Sequence, residues 1–137
     1  MTRPAQVHGS YQLKQQGRFL LLTVIGAWNR ECGERCGQEL KSYISSYDSQ
    51  AWGCLMDLRQ WQLSTPETWK TFNQVRAWFI EHNYRVEAMV CSMAIQKRIL
   101  EKERLISDSL QSRLFTNYQQ ALDWCYQELA KHAIPFH

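Results

Sequence analysis

The chain is 137 residues long, with 45% hydrophobic and 12% aromatic residues and a formal net charge of +3. That is the size of one domain with a real core, and its longest apolar run, Phe19 to Val24 interrupted by Thr23, is much too short to span a bilayer. The 16 basic and 13 acidic residues interleave even in QKRILEKER (96–104), which reads as a solvated helix face and speaks against nucleic acid as a partner.

The opening MTRPAQVHGSYQ has no apolar stretch behind its arginine, unlike a secretory signal, so a cytoplasmic protein is expected. Cys32, Cys36, Cys54, Cys91 and Cys125 are odd in number and contain no C-x-x-C, so reduced thiols are expected.

SYQLKQ (10–15) alternates weakly, Gln16-Gly17 makes a turn, and RFLLLTVIG (18–26) is the clearest strand, so two antiparallel strands open the chain. Asn29 suits a helix cap, and Cys32, Cys36, Leu40, Tyr43, Ile44 and Tyr47 follow at helical spacing. Gly33 and Gly37 weaken that helix but permit close packing on a sheet. WGCLMDL (52–58) is a compact strand buried on both faces, as in a parallel sheet. Thr65, Pro66 and Glu67 make a helix entry, with a capping hydroxyl, proline at the first helical position and an acid in the first turn. That helix runs to about Asn83, YRVEAMVCS (84–92) alternates as a strand, and residues 95–106 form an amphipathic helix. Residues 107–112 read as loop, 113–115 as a short strand, and Asn117 with Gln120 as a capping box opening a last helix through Leu129.

Strands alternating with helices imply an α/β fold: a mostly parallel mixed sheet of about five strands, an opening antiparallel hairpin and about four helices. No repeat or linker divides the chain, so a single domain with its core at about 10–130 is expected.

Four stretches, LLLTVIGAW (20–28), GCLMDLRQW (53–61), YRVEAMVCS (84–92) and LFTNYQQALDWCYQEL (114–129), resemble the STAS domain, the fold of the anti-sigma-factor antagonists, and more closely the SpoIIAA-like family of small stand-alone bacterial proteins. Ala121 and Trp124 stand where that family has its "Ala-x-x-Trp" helix. The resemblance implies a non-enzymatic regulatory module that binds a protein partner, and a phosphoacceptor serine after the third strand in an Asp-Ser-Ser-Gly motif. Ser64 and Thr65 fall near that place, but Leu63 stands for the aspartate and Pro66 for the glycine. A capping hydroxyl turns inward and proline stiffens the turn, so Thr65 is read as a cap rather than a switch.

No catalytic, cofactor or metal site emerges. Cys32 and Cys36 are four apart, but His8, His82, His132 and His137 are scattered, and the motifs of hydrolases, phosphate-binding loops and zinc proteases are missing. The candidate partner or ligand surface is Asp57, Arg59, Trp61, Ser64, Thr65, Glu67 and Trp78. Asp57 ends the third strand, where ligands meet open α/β sheets, although Asp57 and Arg59 could instead simply pair or cap neighbouring loops. Trp61, in the polar loop LRQWQLST, either folds over the core or anchors a partner. Trp78, Phe79 and Ile80 point in three successive helical directions, so apolar surface is expected on the second helix. Such a patch suits a homodimer or the lip of a pocket for a small apolar ligand such as a lipid, between the second helix and the sheet.

Overall fold

Residues 10–16 expose every other side chain, and Ser10–Gln16 (β1) turns back through Gly17, which takes a left-handed φ of 59°, into Phe19–Gly26 (β2). The two pair antiparallel from Ser10↔Ile25 to Gln16↔Phe19 across a two-residue turn. In the computed structural model, which describes residues 9–62 and 66–132, there follow Arg30–Ile44 (α1), a short 3-10 turn at Ser45–Tyr47 and Trp52–Trp61 (β3). Then come Pro66–Glu81 (α2), Tyr84–Val90 (β4), Ala94–Glu103 (α3), Gln111–Phe115 (β5) and Tyr118–Ala130 (α4).

The strands lie in the order β1-β2-β3-β4-β5, and every neighbouring pair after the hairpin is parallel. Because each crossover steps to the next strand in the same direction, right-handedness places α1, α2 and α3 on one face. Leu20, Leu22, Cys54, Met56, Tyr84 and Met89 of the sheet pack there against Cys36, Leu40, Phe79 and Leu100. The other face is covered by α4, whose Ala121, Cys125 and Leu129 meet Phe19, Leu55, Val86, Ala88 and Val90. Trp52, 1% exposed, knots the helical side: it stacks on Tyr84 at 4.5 Å, and its Nε1 donates to the His82 carbonyl at 2.7 Å.

The expected mixed sheet with its opening hairpin and four α-helices is present. Asn29 caps α1 by accepting from the Cys32 N–H, and Asn117 caps α4 by accepting from the Gln120 N–H. The cap expected from Thr65 lies outside the described residues. Several boundaries differ. β3 continues past Asp57 to Trp61, α3 spans Ala94–Glu103 rather than 95–106, and β5 starts at Gln111, two residues before the expected 113. Gly33 and Gly37 face α2 instead of the sheet: a Cβ on Gly37 would sit 3.4 Å from both Val75 methyls, and one on Gly33 3.9 Å from Thr71 Cγ2. All five cysteines are free and buried.

Candidate functional site

The carboxyl end of β3 departs from regular pairing. Thr23 of β2 faces Asp57, but Ile25 faces Gln60, so two steps along β2 match three along β3. This one-residue bulge breaks the alternation of faces. Cys54, Met56 and Leu58 point to the α1–α3 side; after the extra residue Trp61, at an odd position, points there too. It is 5% exposed and meets Trp69 of α2 edge-on at 5.6 Å. Trp61 therefore folds over the core at the end of a strand and does not stand in a polar loop.

Asp57 and Arg59 flank the bulge. Arg59 donates from Nε to Asp57 Oδ1 at 2.9 Å and from Nη2 to Oδ2 at 2.8 Å, and its backbone N–H also reaches Oδ1 at 3.1 Å. Its guanidinium lies 5.2 Å from the Tyr118 ring centre at the start of α4. The Asp57 side chain is 8% exposed and that of Arg59 47%, so one partner is buried and the other presents its outer face to solvent. Burial works to raise the Asp57 pKa, but the Arg59 hydrogen bonds and charge outweigh it and hold the carboxyl below its usual range.

Behind this rim stands Gln96, fully buried in the first turn of α3. Its Nε2 donates to the Leu58 carbonyl at 2.9 Å and to the Trp61 carbonyl at 2.8 Å, while its Oε1 accepts the N–H groups of Ser92 and Met93 at 3.0 and 3.2 Å. One side chain thus ties the bulged strand end to the turn after β4.

No protein-family model matches the sequence, and no curated protein matches it. Among solved structures, an uncharacterized DUF3478-family protein with a SpoIIAA-like fold from Shewanella loihica PV-4 superposes with a TM-score of 0.67 at 12% identity, covering 91% of this chain and 99% of the other. The chain has the SpoIIAA-like fold. An anti-sigma factor antagonist from Mycobacterium paratuberculosis follows at TM-score 0.57 and 12% identity (85% and 92% covered). The unphosphorylated antagonist SpoIIAA itself gives 0.58 at 7% identity (83% and 96% covered).

In this SpoIIAA-like domain the other candidate residues do not all converge. Ser64 and Thr65 lie outside the described residues, and Glu67 is exposed just beyond them in the first turn of α2. Trp78 stands about 16 Å further along α2 and belongs to a different place. It is half-buried between the Lys41 ammonium, 4.6 Å from its ring, and the His82 imidazole, stacked at 3.7 Å. Phe79 is 3% exposed and turns into the core, while Trp78 and Ile80 are only partly covered and leave α2 some apolar surface. Among the described residues, the large exposed apolar side chains are Met93, Ile95, Leu105, Ile106 and Tyr126, around α3 and on α4.

A cavity of about 80 Å³ does lie between α1, α2 and the sheet. Leu22, Val24, Met56, Leu58, Cys36, Trp69, Phe72 and Val75 line it, with Thr68 and Arg76 as its polar members. Thr68 Oγ1 donates to the Trp28 carbonyl.

Arg76 and Glu87 form a buried pair that the sequence reading missed. Arg76 is 1% and Glu87 0% exposed, joined from Nε to Oε2 at 3.0 Å and from Nη2 to Oε1 at 2.7 Å. Tyr84 and Ser112 each donate a hydroxyl to Glu87 at 2.7 Å, and Arg76 Nη1 donates to the Leu105 carbonyl. Burial pushes the Glu87 pKa up, but Arg76 and the two hydroxyls pull it below its usual value. The network ties α2 to β4, β5 and the turn after α3. Among the described residues no group of three potential metal ligands gathers, and no helix is long and apolar enough to cross a membrane.

Proposed function

We propose that this chain is a non-enzymatic, cytoplasmic protein-binding module, regulatory in the manner of the anti-sigma-factor antagonists whose fold it shares, and that the β3 end is its contact surface. The observation that carries the reading is Arg59: half-exposed, fixed in a bidentate pair with a buried carboxylate and laid over Tyr118. An arginine held in one rotamer loses little freedom on binding, which is how interface anchors gain affinity. Gln96 keeps the strand beneath it from moving. Glu67, exposed in the first turn of α2 and electrostatically coupled to Arg30 of α1, is offered as a second contact, and Thr65 is read as a cap and not as a phosphoacceptor. Trp61 supports the surface from below, so Trp61→Ala would report on folding rather than on contact.

The test is photo-crosslinking from the exposed positions 60 and 62 in the native cell, repeated with Arg59→Ala. Removing the Arg59 side chain leaves the buried Asp57 carboxylate with one backbone N–H, at a cost of about 1–3 kcal/mol. One adduct partner, obtained from both positions and lost with Arg59→Ala while the chain stays folded, is the expected result. Partners unaffected by Arg59→Ala would overturn the reading, and a phosphate mapped to Ser64 or Thr65 would overturn the assignment of the cap.

The cavity favours a second reading, a carrier of a small apolar ligand. Its volume is about half of the ~150 Å³ in which an apolar cavity takes up benzene, so it suits a compact apolar molecule and not an acyl chain unless α1 and α2 part. Native against denaturing mass spectrometry decides: a mass lost on denaturation supports this reading, and the bare chain in both removes it. A homodimer would find its most exposed apolar side chains around α3, beyond the partly covered Trp78 and Ile80 of α2, and sedimentation at several concentrations tests it.

A further inference from the structure

The turn after β4 runs beside the end of β3. Ser92 Oγ donates to the Arg59 carbonyl at 3.4 Å, and Gln96 holds the Leu58 and Trp61 carbonyls. The start of α4 joins them: the Cys91 N–H donates to the Phe115 carbonyl at 2.9 Å, and Arg59 lies over Tyr118. Residues 59–62, 92–100 and 115–120 therefore meet at the carboxyl end of the sheet.

Two large apolar side chains stand out there. Met93, the N-cap of α3, and Ile95 in its first turn are each 50% exposed. The Lys97 N–H donates to the Met93 carbonyl at 3.3 Å, one turn on, and Arg98 follows Ile95 by three residues, so each apolar side chain has an exposed cation as its neighbour on the helix. Together the three stretches contain Arg59, Lys97 and Arg98 and no acidic residue. Asp57, just below them, is buried and engaged by Nε and Nη2 of Arg59. The first turns of α3 and α4 add the positive poles of their dipoles. This end of the sheet is thus apolar at two points and electropositive around them.

We propose that Met93 and Ile95 anchor the partner of the β3 end, and that the contacting segment of that partner is an acidic amphipathic helix. Its apolar side chains cover Met93 and Ile95, and its carboxylates meet Lys97, Arg98 and the Nη1 of Arg59 that Asp57 leaves unused. β3 and β4 are each paired on both sides, so no strand edge is offered here and the occupant has to bring side chains. A second copy of this chain would set the same three cations against themselves. A lipid surface is the weaker match, because anionic membranes hold domains through clusters of about four to eight cations. The inference rests on the reading of the β3 end as the contact surface.

The experiment titrates the end-blocked peptide EELLEELLEELL into the isotope-labelled full chain, with KKLLKKLLKKLL and EEAAEEAAEEAA as controls. Saturable shifts are expected at the amides of residues 59–62 and 92–98, with both controls at least about tenfold weaker. Lys97→Glu combined with Arg98→Glu should weaken the acidic peptide at least about tenfold, and Ile95→Ser about fivefold, both at unchanged Tm because all three side chains are exposed. No saturable shift at millimolar peptide, equal binding of the lysine peptide, or a charge-reversed chain that binds as the parent does would overturn the proposal. So would sedimentation with vesicles of equal parts phosphatidylserine and phosphatidylcholine in place of peptide binding. A cellular crosslink from position 60 that Arg59→Ala removes but the charge reversal leaves intact would overturn it too, while the β3 end would stand as the contact surface.

Discussion

Replacing Gln96 by leucine keeps the side-chain volume and removes four hydrogen bonds at once. Two of the groups left behind, the N–H groups of Ser92 and Met93, belong to exposed residues and can turn to water, whereas the Leu58 and Trp61 carbonyls belong to buried ones. At about 1 kcal/mol for each bond, and somewhat more for a buried acceptor left empty, the loss is ~2–4 kcal/mol. With ~2.1 cal/mol/K per residue, a chain of this length unfolds with an entropy of ~0.3 kcal/mol/K, so Tm should fall by ~7–14 °C. The local sign should be sharper still. The bulge loses its brace, the edge-on contact of Trp61 with Trp69 loosens, and the Gln62 amide, bonded to the Gly26 carbonyl, exchanges faster. Calorimetry, tryptophan fluorescence and amide exchange read these three effects. A Tm within ~2 °C of the parent, with Gln62 protection unchanged, would refute the assignment of Gln96 as the brace.

Three further outcomes follow from the same reasoning. Arg76→Met strands the Glu87 carboxylate in the core and should cost ~3–5 kcal/mol by denaturant titration, whereas Arg76→Met with Glu87→Met should recover part of that loss. Glu87 and Asp57 are both held below their ordinary values, so the stability they confer is fully present above the unfolded-state range of ~4 and is lost as pH falls through their lower folded values; Tm should be flat in this respect from pH 5 to 7 and drop in acid, and less steeply with Glu87→Gln. Gly53→Ala would place a Cβ 2.7 Å from a Phe19 ring carbon and 3.0 Å from the Val86 carbonyl oxygen, so both sheet neighbours must shift, and a loss of ~1–3 kcal/mol is expected in a chemical melt.

The elements were legible in the sequence because hydrophobic period tracks them: FLLLTVI and the 84–90 stretch read as strands at sight, and Asn29 and Asn117 mark the helices they cap. The β3 end was not. Alternation along LMDLRQW breaks at the bulge, and a pattern with one extra residue resembles a strand that has stopped, so Trp61 looked like a loop aromatic. The apolar triplet at Trp78, Phe79 and Ile80 divides: Phe79 is buried in the core, while Trp78, under Lys41 of α1, and Ile80 stay partly exposed. Arg76, Glu87 and Gln96 are silent in sequence for a different reason. A buried charge is tolerable only beside its partner, and residues 11 positions apart reveal nothing of that contact until β4 lies under α2.

The one-directional strand order also governs how the chain can mature during synthesis. Each helix from α1 to α3 joins two neighbouring strands, so it can close over them once the second has emerged. The opposite face has no such early cover. Phe19, Leu55, Val86, Ala88 and Val90 wait for Ala121, Cys125 and Leu129 of α4, which leave the ribosome after every strand has formed. Until then the nascent sheet is a half-finished sandwich with one greasy side, the state in which it is most in need of a chaperone and most easily cut by a protease.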